Sequence, residues 1–242
     1  MQFNEGFIGY SEDAAYENFS GADSKELFET NLRSQPIDWY YRRADIIYQR
    51  NTFGHRCKNL NEINLDNYIL FTGCSHTEGI GVELEKTHAY QVAEQIGCDY
   101  YNLAVGGTGV DVIAHNLSVW FATVHNKPKA LVVQWPALTR FVTQGNFGKL
   151  RLLGAWSGGE DESKFLYHAE NLDYFNTKKK IANALINQIS KTTKVLHVGM
   201  FRQISDFGEQ YIQCGPLDYA RDLCHFGIKS HTKIANEILA RL

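Results

Sequence analysis

Two short runs constrain this chain more than anything else in it. Asn67-Tyr-Ile-Leu-Phe-Thr-Gly73 and Ala130-Leu-Val-Val-Gln134 are almost continuously apolar, aromatic or β-branched. A strand with one wet face alternates polar and apolar residues. A run without alternation must be buried on both faces, which calls for a parallel sheet with helices above and below it. The segments between and after these runs supply the helices.

From Asn67 onward, strand and helix patterns alternate. A strand at 68–73 is followed by a loop carrying Ser75, then by a helix at about 87–97 that Thr87 can cap and Gly97 can end. A short strand at 99–104 leads through Gly106-Gly-Thr-Gly109 into a helix at about 109–125. That helix sets Val110, Ile113, Leu117, Trp120, Phe121 and Val124 on one face. The strand at 130–134 stops at Trp135-Pro136. A glycine-rich, aromatic stretch from Thr143 to about Phe165 reads as a long loop, a lid or cleft wall. A helix from Leu172 to Ser190 follows, with Ile181, Ala184, Leu185 and Ile189 apolar, then a strand over Lys194–Met200. The last helix spans about Ser230 to Leu242, with Ile234, Ile238 and Leu242 in one row. Four strand–helix units in succession predict an α/β fold, a three-layer α/β/α sandwich on a doubly wound parallel sheet.

Residues 1–60 are less regular and are expected to form an N-terminal extension packed on a core domain of residues 61–242. Glu12–Phe19 and Ser24–Leu32 are short helix candidates. Pro36–Tyr48 is aromatic and basic together, suited to packing its rings on the main domain or to walling a cleft.

Composition excludes several classes of function. With 24 basic and 27 acidic residues, a net charge of -3, no basic face is implied and nucleic acid is not an expected partner. No stretch approaches the ~20 apolar residues of a membrane span. The start lacks a secretory pattern, so a cytoplasmic protein is expected. Five scattered cysteines without a C-x-x-C pattern predict reduced thiols. The nine histidines show no metal-ligand spacing. Gly106–Gly109 lacks the spacing of a nucleotide loop, and no G-x-S-x-G elbow occurs. No metal or cofactor is expected.

One constellation carries chemistry. Ser75 stands just past the carboxyl end of a parallel strand, where open α/β sheets place ligands. Asp222-Leu-Cys-His225, near the other end, offers from one loop an imidazole and the carboxylate to orient it. A serine nucleophile, a base and donors for an oxyanion make an acyl-transfer site. The backbone N–H groups of Ser75 and Gly107 are the candidate donors.

In these residues the chain resembles the SGNH hydrolases, also called GDSL-type esterases. Gly73-Cys74-Ser75 matches the first block of that family, with cysteine at the aspartate position. Asn102-Leu-Ala-Val-Gly-Gly107 matches the second, and Asp222-Leu-Cys-His225 the last, with His231 following as support at the start of the final helix. The resemblance covers about residues 67–242 and implies a flavodoxin-like strand order, Ser75 as nucleophile, His225 as base and Asp222 as its orienting partner. Where the family carries Gly-x-Asn-Asp after the third strand, this chain reads Gln134-Trp-Pro-Ala-Leu-Thr-Arg140, without the asparagine that donates to the oxyanion. Gln134, Thr139 and Arg140 are the substitutes within reach in sequence, and His76, Gln134 and Arg140 are candidates to touch substrate.

Upstream, Tyr48-Gln-Arg-Asn51-Thr-Phe-Gly54-His-Arg56 resembles a segment ahead of the catalytic core in many SGNH proteins. It is expected to be a turn tied to the core by Asn51 and Arg56. The implied activity is removal of a short acyl group, acetyl above all, from a carbohydrate or other small alcohol. A binding protein on the same fold, weak or inactive in turnover, and an O-acyltransferase are the alternatives.

Overall fold

The computed structural model describes residues 1–144, 149–154, 156–157, 172–200 and 210–242. The chain opens with a small antiparallel hairpin, β1 (Gln2–Asn4) and β2 (Phe7–Gly9). Strand β3 (Tyr16–Glu17) precedes helix α1 (Lys25–Ser34) and pairs with β4 (Tyr48–Gln49). The Ser24 hydroxyl caps α1 by accepting from the Leu27 N–H at 3.1 Å. Glu12–Phe19 is not the helix that its sequence allows: one 3-10 turn at Glu12–Ala14 runs directly into β3. The reason is competition for carbonyls, because the Ala14 and Ala15 oxygens are taken by the side chain and backbone N–H of Arg50.

The core then follows as β5 (Tyr68–Thr72), the one-turn helix α2 (Ser75–Glu78), α3 (His88–Ile96), β6 (Asp99–Asn102), α4 (Val110–Thr123) and β7 (Ala130–Trp135). A hairpin of β8 (Phe141–Gln144) and β9 (Leu150–Leu153) comes next. Helix α5 (Leu172–Ser190), strands β10 (Lys194–Gly199) and β11 (Tyr211–Gln213), and helix α6 (Ile228–Leu239) complete it. The five central strands are all parallel in the order β11-β10-β7-β5-β6. Numbered within the sheet this is 2-1-3-4-5, the flavodoxin-like order, whose switch point falls between β5 and β7.

Alternation along the strands sorts the core into two layers. Leu70, Leu131, Val133 and Val195 face α4 and α5, meeting Ile113, Leu117, Trp120 and Ile186. Ile69, Phe71, Val132 and Leu196 face the other way, meeting Ala89 and Val92 of α3 and Ile234 and Ile238 of α6. All eight strand residues are buried, so the runs without alternation have the physical cause the sequence implies.

Three expectations change in detail. The stretch from Thr143, expected as an irregular loop, enters through the ordered β8–β9 hairpin, whose register pairs Phe141 with Leu153 and Gln144 with Leu150. Phe147 and residues 158–171 lie outside the described residues. On α5 the buried stripe is Phe175, Ala182, Ile186 and Ile189, while Ile181 is 61% exposed. Leu242 lies past the end of α6 and is also exposed.

Residues 1–60 share a third apolar cluster with the core. Tyr41, Ile46 and Tyr48 pack against Ile80, Val82 and Ala220, the last close to the Asp222 loop. Among the described residues no helix is long and apolar enough to cross a membrane, and all five cysteines are free.

Two fully buried histidines tie stability to pH. His55 lies between the Tyr101 hydroxyl (3.1 Å) and the Ile8 carbonyl (3.3 Å). His88 packs face to face on His231, their rings inclined by 19°. Burial lowers His55 and His88 from 6.5 to about 4. The unfolded chain therefore takes up protons from pH 6.5 downward while the folded chain does not, and stability falls across the window from 6.5 to about 4. Urea denaturation should give a clearly lower midpoint at pH 5 than at pH 7.5, each imidazole costing on the order of 1–2 kcal/mol. Equal midpoints would contradict this account of the two rings.

Candidate active site

Ser75 is set by the way β5 ends. Cys74 stays extended and Ser75 starts α2, so the chain turns sharply back over the strand end. Gly73 makes that possible: a Cβ there would stand 2.1 Å from Thr77 Oγ1 and 3.0 Å from the Gln134 carbonyl oxygen. The turn is then fixed from several sides. Thr77 Oγ1 donates to Gln134 Oε1 at 2.5 Å, Asn102 Nδ2 donates to the Thr77 carbonyl at 2.9 Å, and Thr108 Oγ1 reaches the Gly73 carbonyl at 3.1 Å. Strands β5, β6 and β7 thus each contribute to holding one serine.

The partner loop comes from between β11 and α6. Asp222 Oδ1 accepts the N–H groups of Cys224 (3.0 Å) and His225 (2.9 Å), closing a tight turn through Leu223. Its other oxygen meets His225 Nδ1 at 2.5 Å, and His225 Nε2 lies 2.8 Å from Ser75 Oγ. Burial alone would raise the pKa of Asp222. The hydrogen bond and charge of His225, with the two backbone amides, outweigh it and hold the carboxyl below its ordinary value. An ionised carboxylate on Nδ1 leaves Nε2 facing the serine, the arrangement a general base requires.

His76, expected to face substrate, sits behind His225. Its Nδ1 accepts the Phe226 N–H at 3.3 Å, and its ring lies 4.8 Å from that of His225 and 4.3 Å from that of Phe226. Burial first, then the neighbouring charges of His225 and Arg140, keep it neutral well below 6.5. Gln134 is likewise fully buried, its Oε1 taken by Thr77 and its side chain not turned to the cleft. His231 lies in the first turn of α6, where its Nδ1 accepts from the His88 N–H at 3.2 Å.

Ser75, Gly107, Arg140 and His225 line one cleft of about 430 Å³. Gly107 has φ +76, and a Cβ there would come within 3.0 Å of Leu152. Leu152 and Trp156 form one wall, and Tyr10, Gly21 and Ala22 of the N-terminal segment form another. A second concavity of about 430 Å³, around Trp39, Tyr40 and Glu83, has no nucleophile–base pair. Among the described residues no group of three His, Cys, Asp or Glu could hold a metal ion.

The N-terminal segment also fixes the Asp222–His225 loop, a role the sequence does not reveal. Arg221, next to Asp222, bonds Asp23 through Nη2 (2.6 Å) and Nε (2.9 Å), and gives Nη2 to the Asn18 carbonyl. Asn31 Nδ2 donates to the Arg221 carbonyl at 3.0 Å. Tyr48 gives its hydroxyl proton to Asp23 and accepts from the Gly81 N–H. On the serine side, Arg50 pairs with Glu78 of α2 at 3.1 Å, both side chains fully buried. Arg56 holds the carbonyls of Gly79, Val82 and Ile47. Asn51 caps its own turn through the N–H groups of Phe53 and His55 and reaches the Tyr101 hydroxyl.

No family model matches the sequence, and the search of curated proteins gave no match. The architecture is a three-layer α/β/α sandwich, a parallel 2-1-3-4-5 sheet between two helical layers, which fits an SGNH-type fold. Similar solved structures include an acetyl xylan esterase from the rumen bacterium Butyrivibrio proteoclasticus, at 15% identity and TM-score 0.45 over 73% of this chain and 63% of that one. A carbohydrate esterase family 2 enzyme with a carbohydrate-binding domain, from Corynascus thermopiles, is 13% identical, with TM-score 0.47 over 73% of this chain and 65% of that one. A lipolytic protein of the G-D-S-L family from Veillonella parvula is 13% identical, with TM-score 0.46 over 72% of this chain and 96% of that one. The chain thus spans less than two thirds of the first and second of these. Likeness this remote says nothing about substrate.

The Arg221–Asp23 pair is almost entirely buried, with side chains 5% and 1% exposed. Asp23→Ala strands a buried guanidinium and should lower unfolding free energy by about 3–5 kcal/mol. Lys58→Ala removes a lysine that is largely exposed in its pair with Asp99 and should cost no more than ~1 kcal/mol. Chemical denaturation of the two variants side by side checks the ranking.

Proposed function

We propose that the chain is a serine ester hydrolase that removes a short acyl group, acetyl foremost, from a carbohydrate or other small alcohol. The observation that carries this reading is the unbroken hydrogen-bond chain Asp222–His225–Ser75 opening into a cleft.

In this mechanism Ser75 Oγ attacks the ester carbonyl carbon while its proton passes to His225 Nε2. The carbonyl electron pair moves onto oxygen, where the N–H groups of Ser75 and Gly107 receive it. The bond to the alcohol oxygen breaks, and that oxygen takes the proton from His225, leaving an acyl-serine. Water then repeats the sequence through the same imidazole: its proton goes to His225, its oxygen to the acyl carbon, and the proton returns to Ser75 as the acid departs. Asp222 holds the imidazole in its tautomer and balances the charge that His225 gains.

The local structure supports each role. The turn at Gly73 makes Ser75 the first residue of α2, so its N–H lies outside the helical ladder. Gly107 stands beside it on the cleft wall without a side chain to block approach. Tyr10 and the half-exposed Trp156 present rings on which a sugar face can stack. Residues 136–140, directly after β7, include no asparagine, and loss of one oxyanion donor typically costs about 10²–10³ in rate. The enzyme should therefore be slower on simple esters than a three-donor site allows.

Hydrolysis of p-nitrophenyl acetate, butyrate and octanoate checks the reading. The acetate should be preferred. Ser75→Ala and His225→Ala should each lower kcat/KM by about 10³ or more, and Asp222→Asn by about 10²–10⁴. Activity untouched by Asp222→Asn would overturn the assigned triad.

A further inference from the structure

Arg140 is the one arginine among the described residues that lines the Ser75 cleft. The buried arginines elsewhere place their terminal nitrogens on acceptors, although the Nε of Arg50 and of Arg56 is without a partner. Arg50 places both terminal nitrogens on acceptors, including Glu17 and Glu78. Arg56 does the same with backbone carbonyls, and Arg221 chelates Asp23. Arg140 lines the Ser75 cleft, yet its Nη1 is buried without a hydrogen-bond partner, and among the described residues no carboxylate pairs with it. A buried donor left unmatched is destabilising, the more so when it is charged.

The side chain is nevertheless held in place. The guanidinium carbon lies 5.0 Å from the Trp156 ring centre, and Trp156 reaches within 3.6 Å of where a Gly107 Cβ would stand. The cation is therefore on the Gly107 side of the cleft. Its backbone is fixed as well: Lys178 Nζ donates to the Arg140 carbonyl at 2.9 Å. The nearby carboxylate, Asp111, already accepts from Lys178 and from the Val142 N–H. The remaining described residues of the cleft lining are neutral side chains, apolar residues, glycines and His225, while Asp222 lies behind His225. A fixed cation in an otherwise uncharged cleft selects for an anion.

We propose that Arg140 selects esters that carry an anionic group, a carboxylate or a phosphate, near the scissile bond. The proposal rests on the esterase reading for turnover, though not for binding. Two placements of the anion share this chemistry. A carboxylate on the alcohol side is represented by 3-acetoxybenzoate, with 3-acetoxybenzamide as its neutral counterpart. A carboxylate on the acyl side is represented by mono-p-nitrophenyl succinate, with p-nitrophenyl butyrate as its counterpart.

Wild type should favour the anionic member of at least one pair by about tenfold or more in kcat/KM, mostly through KM. Arg140→Met should bring that ratio to within about twofold. Arg140→Lys, which keeps the charge and loses the planar fork, should retain part of it. A wild-type ratio near one in both pairs overturns the proposal. So does a ratio unchanged in Arg140→Met while both rates fall together, which would make Arg140 an oxyanion donor or a structural residue.

Calorimetric titration of Ser75→Ala with 3-acetoxybenzoate, mono-p-nitrophenyl succinate and their neutral counterparts separates the two readings. Binding of an anion that the added Arg140→Met change abolishes supports the anion site even where no ester is turned over. Turnover without any anionic preference upholds the esterase and overturns the anion site.

Discussion

The 2.8 Å contact between Ser75 Oγ and His225 Nε2 joins residues 150 positions apart, and both ends must be held before it can form. On the serine side the constraint is close packing. Gly73 lets the turn after β5 lie against Thr77 and the end of β7, at a separation that no side chain tolerates. On the histidine side the constraint is electrostatic. One oxygen of Asp222 organises the backbone of its own turn, and the other orients the imidazole. A single carboxylate thereby shapes the loop and sets the tautomer.

The N-terminal segment belongs to this machinery. Arg221 and Asp23 link the residue before Asp222 to the start of the chain, and Arg50 does the same for Glu78 in the serine turn. Both pairs are buried, so neither partner can be lost without stranding a charge. Such pairs add little net stability compared with apolar packing. Their use here is positional, since guanidinium geometry fixes direction as well as distance. Tyr10, Gly21 and Ala22 then complete the cleft wall from the same segment.

What the sequence conveys about this fold is mostly local. Runs such as Leu131–Val133 announce a sheet covered on both faces, because burial leaves its mark on every residue of the run. Asp222 and His225 could be picked out because three positions separate them. Asp23 and Arg221 could not, since nothing near either residue signals a partner 198 positions away. Gln134 and His76 lie next to the right elements in sequence, but their side chains turn inward, towards Thr77 and Phe226. The β8–β9 hairpin was hidden by its glycines, which read as loop until the pairing of Phe141 with Leu153 is seen. Ile181 fits an apolar row on α5, yet the helix buries the neighbouring stripe through Ala182 and Ile186.

The central claim is that Ser75 is activated by His225. Its most direct test is labelling with a fluorophosphonate probe, followed by mass spectrometry of the modified peptide. Fast, stoichiometric labelling confined to Ser75, and lost in His225→Ala, is the result this account predicts. Absence of labelling in the folded wild-type protein, or labelling that persists at the same rate without His225, would contradict it.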